Sequence, residues 1–201
     1  IELANNENQV IEIQIEEDNW AKQYQQFLKK KASEKIAGLT ETKVNLAIIV
    51  YELNNLEANQ INQKIKDSTG DYLLLIPTHA ELSPNAINVF QKVIFNNPTV
   101  DLIYSDEVRL NEKGEIIPYF KSDFNKDLLL STNYIGSSFL VKKETGEKIG
   151  WFDFNFKKGF LYDFLLKLME KNGQILHLPE VLIQYQEKEI IQKEVEAKVL
   201  K

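Results

Sequence analysis

Residue types that can do chemistry are few in this chain and stand far apart. Asp106 and Glu107 are adjacent carboxylates that follow the apolar run of Leu102, Ile103 and Tyr104. Carboxylates so placed either line a pocket or sit in a solvated loop after a strand. Asp163 has Lys167 four residues on; it is either a polar group of a cleft or half of a helical ion pair contributing only ~0.3 kcal/mol. There are two histidines, His79 and His177. Metal-ligating His residues keep company with other ligands, and His79 has none nearby, while His177 opens the segment His177-Leu-Pro-Glu180 and reads as structural. The absence of Cys excludes disulfides, thiolate nucleophiles and Cys-ligated zinc, and suits the cytoplasm.

Such residues need a scaffold, and the hydrophobic pattern supplies one. The 201 residues are 43% hydrophobic with a formal net charge of -6 and a sequence pI of about 5.1. That balance argues against a nucleic-acid partner, which selects a basic stripe. No apolar run reaches the ~20 residues of a spanning helix, and no signal peptide is visible. The chain opens on Ile1, as a fragment of something longer would. Val10–Ile15 alternates as a strand with one buried face. Trp20–Ile36 has helical spacing with Asn19 as cap. Leu46–Val50 and Tyr72–Ile76 read as strands buried on both faces, separated by an Asn/Gln-rich helix over Leu56–Ser68.

Ser83-Pro84 predicts a helix start, with Ser as cap and Pro at the first helical position, and Asn96-Asn-Pro98 predicts its end. Asp101–Ser105 reads as a short strand and Asn111–Gly114 as a hairpin-type turn. Phe139–Val141 is a strand. Leu161, Phe164, Leu165, Leu168 and Met169 form the apolar stripe of a helix ended by Gly173, and Ile175 begins another strand. The alternation of strands and helices predicts a three-layer α/β/α fold with a mainly parallel sheet. With no Gly/Ser linker and no repeat, one domain is expected over residues 1–201: an α/β body over 1–186 and a helical tail over 187–201, with Ile190, Ile191, Val195 and Val199 on one stripe.

Asp101-Leu-Ile-Tyr-Ser-Asp-Glu107, Tyr119-Phe-Lys-Ser-Asp123, Asp127–Gly136, Ile149-Gly-Trp-Phe152, Tyr162-Asp163 and His177-Leu-Pro-Glu-Val-Leu182 together resemble bacterial family-2 glycosyltransferases that build surface polysaccharides such as O-antigen. Upstream, Asn62, Ser68–Tyr72 and Glu81–Pro84 resemble the segments flanking the family's metal-binding strand. Order and spacing agree from about Asn62 to Leu182, over half of the chain. The resemblance implies a GT-A-like nucleotide-sugar fold. If residues 10–20 match the family's second strand, with Glu16-Glu17 near its acidic pair, the first strand is missing from this chain. The matching segments put Tyr104, Asp106, Glu107, Lys121, Asn133 and Tyr134 on the acceptor or pocket side, with Tyr134 equally able to pack. The aromatic group Trp151, Phe152, Phe154, Phe156 and Phe160 reads as core and loop anchoring more than as a sugar platform.

Inverting sugar transfer needs a neutralised diphosphate leaving group, usually on Mg²⁺ or Mn²⁺, and a base for the acceptor hydroxyl. Where the family carries an Asp-x-Asp type motif, this chain has Pro77-Thr-His-Ala80; a hard cation favours oxygen ligands, so one imidazole and one hydroxyl are a poor replacement. Two positions before Asp163, where the family has its acidic base, stands Leu161 on an apolar stripe. Gln184 and Gln186 stand where a His and an Arg are common, and Asn54-Asn55 is followed by Leu56-Glu57 in place of a Gly-rich turn. The expectation is a degenerate glycosyltransferase-like pseudoenzyme that binds an acceptor glycan or a sister glycosyltransferase domain. It needs no metal or other cofactor, has Asp163 as its one weak catalytic candidate, and works in the cytoplasm or at the inner face of the membrane through a partner. An active, metal-independent nucleotide-sugar transferase with Asp106, Glu107 or Asp163 as base (Mg²⁺ or Mn²⁺ entering only if transfer persists) and a plain protein-interaction domain are the alternatives.

Overall fold

The computed structural model describes residues 44–52, 58–111 and 115–186. The expected strand at 10–15, the helix at 20–36, Glu16-Glu17, residues 54–57, the hairpin tip and the tail from 187 lie outside the described residues. The described chain runs β1 (Leu46–Tyr51), α1 (Ala58–Asp67), β2 (Tyr72–Pro77), β3 (Ala80–Leu82), α2 (Ala86–Asn96), β4 (Leu102–Leu110), β5 (Ile116–Tyr119), α3 (Lys126–Ser131), β6 (Phe139–Lys142), α4 (Lys143–Ile149), a 3₁₀ segment (Phe154–Gly159), α5 (Phe160–Glu170) and β7 (Ile175–Gln186).

The strands form one sheet in the order β1-β2-β6-β4-β7-β3, with β5 added to β4. Side chains alternate across a strand, and this sheet has a packed layer on each face. Leu73 and Leu75 of β2, Phe139 and Val141 of β6, and Leu102 and Tyr104 of β4 join Ile61 and Ile65 of α1 and Phe164, Leu165 and Leu168 of α5 in one cluster. Their neighbours Tyr72, Leu74, Ile76, Leu140 and Ile103 join Phe90 and Ile94 of α2 in the other. The three-layer α/β class is therefore as expected.

The sheet itself is mixed, where a mainly parallel one was expected. β1–β2 and β4–β7 are parallel, but β2–β6, β4–β6, β3–β7 and β4–β5 are antiparallel. Apolar patterning shows which faces are buried and carries nothing about strand direction. β1 also departs from expectation: Ile48 is 44% and Val50 42% exposed. It ends the strand order: Ile49 and Tyr51 on one face belong to the first core cluster, and on the other face Leu46 packs against the second while Ile48 and Val50 stay open.

The third strand is longer than the expected Asp101–Ser105. β4 continues to Leu110 because β5 folds back on it, pairing Glu107 with Tyr119 and Leu110 with Ile116. The helix expected at Ser83-Pro84 starts at Ala86, with Asn85 in the cap position. Ser83 is still extended there, its N–H donating to Leu182 O (2.9 Å) in continuation of the β3–β7 ladder, and its hydroxyl bonds Asn85 Oδ1 (3.1 Å). α5 carries the predicted stripe, with Leu161, Phe164, Leu165, Leu168 and Met169 all buried. The chain leaves it through Asn172 at φ 54° and a Gly173 N–H bonded to Leu168 O (3.0 Å). A Cβ on Gly173 would lie 2.4 Å from Leu168 Cδ1.

The aromatic group is core, as read. Trp151 stacks on Phe164 (centroids 5.6 Å, 4° between planes), and Phe152 meets Phe160 and Phe164 edge-on at 5.2 Å each. Phe156 alone of the group is exposed. Asn62 of α1 pins this cluster by donating from Nδ2 to Phe152 O (3.0 Å).

Candidate functional site

The segment His177-Leu-Pro-Glu-Val-Leu182 breaks the β4–β7 ladder. Ser105 pairs with Leu178, Asp106 with Val181 and Glu107 with Ile183, so Pro179, Glu180 and Leu182 are extra residues on β7. Pro179 has no N–H to give a ladder, which fits a bulge. Bulges re-aim side chains, and here the irregularity lies at Asp106 and Glu107. Both carboxylates are buried.

Asp106 Oδ1 accepts from the Lys121 backbone N–H (2.8 Å) and lies 2.9 Å from His177 Nε2. His177 Nδ1 lies 3.0 Å from Asp123 Oδ1. The imidazole stacks on Tyr104 (5.0 Å, 22°), whose hydroxyl donates to Ser122 O (2.7 Å). Glu107 is held by Lys121 Nζ at 2.8 Å and Arg109 at 3.0 Å. Lys121 Nζ also donates to Ile135 O (2.7 Å). Burial pushes the Lys121 ammonium below the ordinary lysine range, and the charge of Glu107 pulls it partly back. Arg109 in turn lies over the Tyr119 ring, 4.6 Å from its centroid.

The remaining expected residues hold the next segment. Tyr134 meets Tyr104 edge-on (5.9 Å) and its hydroxyl accepts from Asn125 N–H (2.8 Å). Asn125 caps α3 by accepting from Leu128 N–H (2.9 Å). Asn133 Oδ1 accepts from Gly136 N–H (3.0 Å) in a tight turn, with Gly136 at φ 88°. A Cβ on Gly136 would come within 3.6 Å of Lys121 Nζ and 3.8 Å of Glu107 Oε2.

Tyr104, Asp106, Glu107, Lys121, Asn133 and Tyr134 thus fall in one region, but their polar groups are turned into the protein and satisfied there. The Asp106 and Glu107 carboxylates are neither a solvated loop nor a bare pocket wall. Sequence reasoning missed Asp123 and Arg109, and read His177 as structural without seeing that it bridges two carboxylates. The register Tyr104↔His177 that creates the bridge has no local sequence signal.

Asp163 lies apart from these contacts. Its Oδ2 pairs with Lys167 Nζ at 2.6 Å, the i,i+4 pair expected. Leu161, which the resemblance sets where a base is expected, is 4% exposed and belongs to the core.

A hard divalent ion does not fit the residues after β2. Pro77 ends that strand, Thr78 is exposed and gives its N–H to Tyr51 O (2.8 Å), and the His79 ring packs against Tyr185 (5.6 Å). The first carboxylate is Glu81, which is exposed on β3 and registered with Gln184. Among the described residues no group of three or more His, Asp or Glu could hold a metal ion, and no helix is long and apolar enough to cross a membrane. A cleft of about 210 Å³ opens at the carboxyl ends of the parallel pair β1–β2, lined by residues including Tyr51, Gln60, Lys64 and Thr78. Open α/β sheets bind ligands at such strand ends.

No family model matches the chain. It is 30% identical over 138 residues to the uncharacterized protein y4gI of Sinorhizobium fredii, a match covering 67% of this chain and 15% of that protein. It is 29% identical over 126 residues to the O-antigen biosynthesis protein RfbC of Myxococcus xanthus, covering 62% of this chain and 10% of that protein. The chain therefore spans a small part of both curated relatives. Among solved structures it is similar to residues 1–349 of S. aureus TarS in complex with UDP (TM-score 0.48, 14% identity, 64% of this chain and 39% of that one). It is also similar to GalNAc-T7 with UDP, GalNAc and Mn²⁺ (TM-score 0.49, 18% identity, 65% and 30%).

Proposed function

We propose that this chain is a glycosyltransferase-like module of a glycan-assembly protein, one that holds an acceptor glycan or a sister catalytic domain and transfers no sugar itself. The observation that carries this reading is the strand end Pro77-Thr-His-Ala80, where residues unsuited to a hard cation stand in place of the family's carboxylates. Leu161 supports it, since the base position is part of the core. The match to an O-antigen biosynthesis protein supports the pathway class.

The active alternative needs a base among Asp106, Glu107 and Asp163. Each is tied to a cationic or imidazole partner, and freeing it means breaking that tie. Calorimetric titration with UDP-sugars, with and without Mn²⁺, separates the two. The proposal expects no metal-dependent binding; a micromolar, Mn²⁺-dependent signal would overturn it and favour an active transferase. A glycan array then tests the binding role, and silence there leaves a protein-interaction domain as the better account.

A further inference from the structure

We infer that His177 is held as an imidazolium that latches the 121–125 segment to the sheet, and that loss of its proton releases the latch. Both ring nitrogens lie at hydrogen-bond distance from carboxylate oxygens, Nε2 from Asp106 Oδ1 (2.9 Å) and Nδ1 from Asp123 Oδ1 (3.0 Å). A neutral imidazole has one N–H and one lone pair; only the cation has two donors. Asp106 Oδ1 already accepts the Lys121 N–H, which suits an ionised oxygen. With a neutral ring, one nitrogen lone pair would face a carboxylate.

The two carboxylates are not equivalent. Asp106 is buried, whereas the Asp123 side chain is 94% exposed. When the ring gives up a proton, Asp123 can turn to water at little cost and Asp106 cannot. The bond that breaks is therefore the one to Asp123. The groups facing the ring are Asp106 and the stacked Tyr104 from β4, and Asp123 from the segment after β5. Lys121 and Glu107 stand beyond Asp106 and pair with each other, and Tyr134 stands beyond Tyr104. Only the protonated ring can donate to both carboxylates, so the latch holds at lower pH and opens as pH rises. Imidazoles as a class change charge near neutrality.

What is latched is the stretch that carries Lys121, whose N–H holds Asp106, and Asn125, which caps α3 and meets Tyr134. Losing the Asp123 tie loosens this stretch, which the Tyr104–Ser122 and Lys121–Glu107 contacts still anchor.

Ring ¹⁵N NMR of the full chain tests it, with a His79→Gln variant assigning the two imidazoles. Both His177 nitrogens should carry protons at the acid end of the pH range. Amide protection factors over 121–125 should fall several-fold as His177 titrates. Asp123→Asn, an exposed change that leaves an acceptor but removes the charge, should abolish the pH dependence of protection over 121–125. A single neutral tautomer of His177 over roughly pH 5 to 8, flat protection over 121–125, or protection in Asp123→Asn that still follows pH as in the parent would each overturn the latch.

Discussion

Leu161 and Lys121 show how differently two buried positions respond to a change of charge. Leu161 packs with Phe160, Phe164 and Leu165 in a cluster without a polar partner for it. Leu161→Asp buries an unpaired carboxylate. It should cost at least about 3 kcal/mol in a denaturant melt. A stable Leu161→Asp protein would mean that the position opens to a cleft. Lys121 is buried with its charge balanced by Glu107. Lys121→Met leaves Glu107 with Arg109 alone and removes the bond to Ile135 O, an imbalance of the kind that costs about 3–5 kcal/mol. Adding Glu107→Gln should recover part of the loss. Denaturation of both single variants and the double variant measures the coupling, and strict additivity would show that the two side chains do not act as a pair.

At the scale of elements, legibility follows the range of the signal. α5 could be read closely because its stripe is repeated over three turns and its end is marked by Gly173. β2 could be read because six consecutive residues are buried, which leaves a continuous apolar run. α3 and α4 were missed: at six and seven residues they are too short for a periodic stripe, and their stability comes from caps and tertiary contacts. The cap of α3 is itself tied into the region of Tyr134. Asn125→Ala removes the Oδ1 that accepts from Leu128 N–H and should cost about 1 kcal/mol. Asn125→Asp keeps an acceptor at the positive end of the helix and should be nearly neutral. Thermal melts of the two variants decide; equal losses would mean that the cap bond contributes nothing. The bulge of β7 was half legible: Pro179 marks an interrupted ladder, but the register shifts on either side of Asp106 depend on pairing with a strand distant in sequence.

Over the whole molecule the class of fold was legible and the arrangement of the candidate site was not. Composition and alternation report burial, which is a local property, whereas the meeting of Tyr104, Lys121, Tyr134 and His177 depends on strand order and register. The same long-range packing sets the response to alkali. Burial is the main cause that raises Tyr51, Tyr104 and Tyr185 above the ordinary phenol range, helped by the charge of Tyr185 beside Tyr51, by the Tyr134 bond beside Tyr104 and by Glu107 beside Tyr185. An unfolded tyrosine titrates near ~10. Above that pH the folded state holds phenol protons that the unfolded state has lost, so their contribution to stability is complete below about pH 10 and declines as pH rises further. Lys121 acts in the opposite sense: its lowered value means that the unfolded state binds the extra proton, so its contribution grows with pH until the unfolded lysine itself deprotonates near ~10.4. Three phenols outweigh one ammonium, and the net slope above about pH 10 is downward. Tyrosinate absorbance followed together with far-ultraviolet circular dichroism should therefore show two populations among the eight tyrosines. The accessible ones should ionise first, with the fold intact, and the buried set should ionise together with loss of secondary structure. Tyr51→Phe should make the alkaline decline shallower, although it also forfeits the bond to Ser137 O, a loss of about 1 kcal/mol at neutral pH. Complete ionisation in one smooth step with the dichroism unchanged would show that these phenols are open to water.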